Sequence, residues 1–229
     1  MNYSDLIPAW AQPIFREAGI ELNFEERKMN CSACTLYSAS VKCCTFFPNL
    51  SNFAAGIELS KNPSIFDALL AQPELSLPLG IVAPDSYKQR YASNEFGTNE
   101  ELLCPHFDRK KQNCGIWSSR PSSCVRFVCK SSLGNVGQEI WGQTESALGA
   151  LEMNLAYEAA LQLGLVNYEI ATDRWKVSAE EKRKFYVAAA DFVESLSASQ
   201  KIDLAGEEFS KARSTMRSLA RDVALRAAL

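Results

Sequence analysis

Histidine is nearly missing from this sequence. His106 is the 1 histidine in 229 residues, so no second imidazole exists to form a general-base pair. Neither glycine-rich phosphate fingerprint, G-x-x-x-x-G-K or G-x-G-x-x-G, is present, and the Gly134-Asn-Val-Gly137 turn reads as the lead-in to a helix. No uninterrupted apolar run reaches the ~18–20 residues that cross a bilayer. The most apolar irregular stretch, Ala68 to Pro84, is broken by Pro73, Pro78 and Pro84 and carries Glu74. The first ten residues lack a basic segment followed by an apolar one, the pattern of a secretory signal. A formal charge of −3 gives no broad attraction to nucleic acid or anionic lipid. The expectation is a cytoplasmic protein with no membrane segment and no clear nucleic-acid signal.

What is present is cysteine, in two groups. Cys31, Cys34, Cys43 and Cys44 lie in one short stretch; Cys104, Cys114, Cys124 and Cys129 lie in another; none follows Cys129. In a reducing compartment thiols stay free, bind metal or do chemistry. Eight scattered cysteines would read as small buried hydrophobes, but these are grouped. Cys31 and Cys34 form a C-x-x-C knuckle, a spacing that turns two sulfurs toward one metal. Cys43 and Cys44 are adjacent, and neighbouring side chains in extended chain point to opposite sides. They face different metals, or one ligates while the other packs; if the chain is an enzyme, one of them is the best candidate for a reactive thiol. The second group has little aliphatic content and needs something to hold it, and structural zinc contributes on the order of 10 kcal/mol or more in small sites.

The order Cys31-x-x-Cys34, Cys43-Cys44, Cys104-Pro-x-Phe-Asp, Cys114-Gly-Ile-Trp, Arg120-Pro-x-x-Cys124-x-x-Phe and Cys129 resembles the YkgJ-type cysteine-cluster family, over roughly residues 28–135. The eight-residue gap between Cys34 and Cys43 is longer than in many members of that family. The resemblance implies zinc or iron chelation. Similar cysteine motifs occur in flagellin lysine N-methylases, thought to carry a [4Fe-4S] cluster, and this likeness tips the expectation toward iron–sulfur. Ligand chemistry alone leaves both metals open, because all-thiolate sites suit zinc and iron–sulfur alike. Eight thiolates suffice for two Cys₄ zinc ions, or for one cluster with four thiols to spare. Either centre carries negative charge that Arg120, Arg126 and Lys130 stand close enough in sequence to offset; each reads equally well as a solvent-exposed cation. His106 is either a further ligand or an ordinary loop residue.

The remainder reads as helix. Leu6, Ile7, Trp10, Ile14 and Phe15 have helical spacing up to Gly19, but Pro8 and Pro13 reduce this to two short turns or a kinked helix, with Ser4 as possible N-cap. A helix is expected from Asn62-Pro63 through Leu70, an extended loop over Pro73 to Pro84, and a short helix near Asp85 to Ser93. Thr98 and Glu101 have capping-box spacing ahead of Cys104. Behind it, apolar stripes run from Val136 to Gly164, from a Ser178/Glu181 capping box to Leu196, and from Phe209 to Val223. The basic positions of the last stripe, Lys211, Arg213, Arg217 and Arg221, read as a solvated face. The expected fold is mainly α: an irregular cysteine-rich metal-binding front half, residues 1–132, packed on a helical half, residues 133–229. The expected function is metal binding, redox or accessory to a modifying enzyme through a protein partner. The alternatives are an iron–sulfur-dependent enzyme and a zinc-stabilised scaffold.

Overall fold

The computed structural model describes residues 2–20, 22, 24, 44–93, 95–96, 99–126, 131–165 and 175–227. The fold is mainly helical. Its N-terminal segment resolves into two short pieces, as its prolines require: a 3-10 turn Tyr3–Leu6 and helix α1, Gln12–Glu17, with Pro13 in the first turn. Asn2, rather than Ser4, caps the first piece, pairing with Asp5 in a capping box. Gly19 ends the second at φ 62, a left-handed position that favours glycine.

Several of the elements that follow are placed poorly by the sequence signals. Strand β1 (Leu50–Ser51) runs into helix α2 (Asn52–Lys61), for which no amphipathic stripe exists. Asn52, Phe53, Ala54, Ala55, Gly56, Glu58 and Leu59 are all buried, so burial surrounds the helix and its apolar residues form a run instead of a period. The helix expected from Asn62 through Leu70 is therefore corrected. Asn62 closes α2, and only Asp67–Leu70 (α3) is helical beyond it. Within the expected loop, β2 (Ser76–Leu77) and β3 (Gly80–Ile81) form a tight hairpin, and β3 also pairs antiparallel with β1. A Cβ on Gly80 would fall 2.0 Å from the Leu50 carbonyl oxygen, which explains glycine there. Helix α4 spans Asp85–Ala92.

The long helices carry the mass of the molecule: α6 (Gly134–Gln162), α7 (Ala179–Ser195) and α8 (Ala198–Ala227), the last broken at Gly206. The Ser178/Glu181 capping box is present at the start of α7. Helix α6 packs along α8, and α2 along α7. At the second crossing the backbones almost touch. A Cβ on Gly56 would fall 1.9 Å from the Tyr186 carbonyl oxygen. Tyr186 also donates its hydroxyl to the Leu77 and Gly80 carbonyls, and Lys182 donates to Ser76 Oγ at 2.6 Å, so α7 holds the hairpin through buried polar groups.

The buried core is continuous from Tyr3 through Met216. Tyr3 packs its ring at a tilt against Trp141 and donates to Thr144 Oγ1, fastening the N-terminal turn to α6. Arg217, on the face expected to be merely solvated, donates to the Ala18 and Gly19 carbonyls and so caps the end of α1. Among the described residues no helix is long and apolar enough to cross a membrane.

Candidate metal centre

Four of the eight cysteines, Cys44, Cys104, Cys114 and Cys124, fall among the described residues, and all are partly buried. Cys31, Cys34, Cys43 and Cys129 lie outside them, as do Lys130 and Thr98.

The two cysteine groups meet through the backbone. The Cys104 amide donates to the Cys44 carbonyl at 2.6 Å. A 3-10 turn, Glu100–Leu102, delivers Cys104; its cap is Asn99, whose side chain accepts from the Glu101 amide. After Cys104 the chain turns sharply. The His106 amide donates to Cys104 Sγ at 3.4 Å, and the Phe107 amide donates to the Cys104 carbonyl. Strands β4 (Phe107–Asp108) and β5 (Asn113–Cys114) then form a hairpin that sets Phe107 opposite Cys114. Asp108 Oδ1 accepts from the Lys110 and Lys111 amides to close its tip. Gly115 donates to the His106 carbonyl at 2.7 Å, and a Cβ there would sit 2.9 Å from the same oxygen. The hairpin thus brings Cys114 back to Cys104.

Cys124 arrives from the other side on the one-turn helix α5, Ser122–Val125. Sequence reasoning offered metal coordination as sufficient to hold this loop. A set of polar contacts, from buried to exposed, also anchors it. Glu58 of α2 accepts from Ser119 Oγ, and Lys61 donates to Ser118 Oγ. The Ala9 amide donates to the Ser118 carbonyl. From α6, Glu152 accepts both the amide and the hydroxyl of Ser122, at 2.9 and 2.6 Å, while Glu145 pairs with Arg126. Glu58 and Glu152 were missed because their partners are remote in sequence; no local pattern marks them.

The charge environment is specific. Burial pushes the Cys104 thiol up to about 12, opposed by the His106 amide and reinforced by Cys114. Burial also pushes the Cys124 thiol up, with Cys104 and Cys114 adding to the rise and Arg120 opposing it. The three sulfurs therefore sit close enough to sense one another's charge, and burial favours the neutral thiol at Cys104 and Cys124. Arg120 is 4% exposed, stacks over Trp117 with its guanidinium carbon 3.9 Å from the ring centre, and donates to the Leu6 carbonyl. Of the two readings offered for it, solvent exposure is the one overturned. Arg126 is the exposed one.

His106 is buried as well. It is 6% exposed, lies edge-on to Phe47 and Phe66, and is kept neutral by burial, which lowers its pKa to about 4. Its Nε2 is buried without a hydrogen-bond partner.

Among the described residues, no group of three or more His, Cys, Asp or Glu side chains is arranged to hold a metal ion. Comparison with family models, with curated proteins and with solved structures found no match.

Proposed function

We propose that this chain is a metal-binding protein that gathers cysteine thiolates around an iron–sulfur cluster or zinc. The observation that carries the reading is the junction of the two cysteine groups. Cys44 and Cys104 are joined backbone to backbone, and Cys104, Cys114 and Cys124 lie within electrostatic reach of each other. Thiols so placed repel as thiolates and gain by sharing a cation. The donor set fits a thiophilic centre, with Arg120 beside Cys124 to offset negative charge. Cys44, Cys104, Cys114 and Cys124 are the described residues that would contribute ligands; Cys31, Cys34, Cys43 and Cys129 are proposed to complete the set. The resemblance to YkgJ-type proteins supports the same reading and favours iron–sulfur. When bound, a cluster would supply electron transfer and zinc would supply structural cross-linking.

The role is redox or accessory, exercised through a protein partner. Met153 and Tyr157, exposed one turn apart on α6, support such a contact. Anaerobic purification followed by absorbance, iron, sulfide and zinc analysis tests the proposal. A broad band near about 400 nm with about four iron and four sulfide per chain supports the cluster. Colourless protein with one or two zinc supports the structural role. Protein that stays metal-free after reconstitution with either metal rules out both.

A further inference from the structure

Helix α4 is held to the molecule by the tips of its side chains. None of its residues is fully buried, whereas even the one-turn helices α3 and α5 bury Leu70 and Val125. Its attachments converge on the two chain segments that meet at the Cys44–Cys104 hydrogen bond. The Tyr91 hydroxyl accepts from the Phe47 amide, just after Cys44, and the Tyr91 ring stacks on Phe46. The Tyr87 hydroxyl donates to the Glu101 and Leu103 carbonyls, in the turn that delivers Cys104, and its ring lies edge-on to Phe47. Arg90 pairs with Glu101 of that turn and with Glu95. One tyrosine thus grips the Cys44 segment and the other grips the Cys104 segment. These grips are light. Both Tyr87 bonds measure 3.4 Å, longer than the usual O–H···O range, and ion pairs as solvated as those of Arg90 contribute little. A cleft of about 620 Å³ leaves open space between Lys88 and Tyr91 of α4 and the Ser122–Ser123 turn ahead of Cys124.

The geometry points to α4 as a lid on the cysteine junction. Closed, Tyr87 and Tyr91 pin the Cys44 and Cys104 segments together; open, the helix admits metal to Cys104 and Cys124. Partly buried ligands need an entry path, and the element with the fewest buried groups is the one that opens at least cost. The phenols also stand within electrostatic reach of the sulfurs. Burial raises the pKa of both tyrosines, Cys104 adds to the rise at each, and Cys124 adds at Tyr91. The inference deepens the metal reading and rests on it for what is admitted, while the cover over the thiols is a property of the protein alone.

The test uses the full chain carrying Tyr87→Phe and Tyr91→Phe together, which removes both hydroxyls and keeps both rings. Iodoacetamide labelling of Cys104 and Cys124 is timed by mass spectrometry in metal-free protein, and zinc loss to a chromophoric chelator is timed in loaded protein. Labelling at both cysteines is expected to quicken about tenfold, as the loss of the two grips implies, and zinc to leave faster by a similar factor. The urea midpoint should stay at the wild-type value, and Gln89→Ala, an exposed position on the same helix, should label at the wild-type rate. Equal labelling of the double variant and the wild type, or quickening matched by a fall in the urea midpoint, overturns the lid. Quickened labelling in a chain that binds no metal sustains the cover over the thiols and strikes the metal reading alone.

Discussion

At Cys104 and Cys124 the sulfurs are buried, mutually repulsive as thiolates, and approached by one guanidinium. Replacing either with serine removes a soft donor while keeping its volume. Cys104→Ser and Cys124→Ser are therefore expected to lower bound metal sharply, checked by elemental analysis of protein purified under argon. Full occupancy in both would strike them from the ligand set. Glu152 presents a separate residue-scale test. Burial raises its carboxyl from 4.5 to about 7, against the lowering effect of the Ser122 donors. A carboxyl raised by folding binds its proton more tightly in the native state. Its contribution is thus complete below about pH 4.5 and is lost as pH rises through about 7. Urea midpoints of the wild type should carry that decline, and Glu152→Gln should flatten it; an unchanged slope would show that the group does not titrate there. Neither Glu58 nor Glu152 was legible as an anchor of the cysteine loop. A carboxylate on a helix reads as a solvated position until the tertiary fold brings Ser119 or Ser122 against it.

Helices differ in how well their sequences announce them. Helices α6 and α7 were legible because each buries one face and exposes the other, and because Ser178 and Glu181 close a capping box at the head of α7. Helix α2 was not, because burial on nearly all sides erases the period that sequence reading relies on. Its glycine, which weighs against a helix locally, is required by the neighbour: the Tyr186 carbonyl occupies the space a methyl would need. Gly56→Ala should separate α2 from α7 and cost about 1–3 kcal/mol or more in chemical denaturation. A neutral result would mean that the two helices slide apart without penalty. The β2–β3 hairpin was likewise hidden among prolines, since its support comes from Tyr186 and Lys182, more than a hundred residues further along the chain.

Among the described residues, the apolar core runs from the N-terminal turn through α2 to α6, α7 and α8, and the loop that carries Cys104, Cys114 and Cys124 lies against it on polar anchors. Those anchors are hydrogen bonds between protein groups. Stripping the purified protein with a chelator is expected to leave its helical circular dichroism largely intact, while limited proteolysis moves to the stretch between Asn99 and Arg126. Loss of the helical signal together with the metal would show that the centre, rather than the core, holds the fold. The expected mainly helical class rests on periodicity over long segments, and the structure agrees.

Sequence alone determined what is local. Proline broke the first helix, capping residues started α7, amphipathic spacing laid out the long helices, and the grouped thiols posed the metal question. Tertiary structure decided what depends on partners far along the chain: that Cys44 and Cys104 share a hydrogen bond, that Arg120 is buried beside Cys124, and that Glu152 fastens the turn between them and α6. Caps and periods are written within a few residues of each other. A buried charge or thiol takes its meaning from whatever folding sets against it.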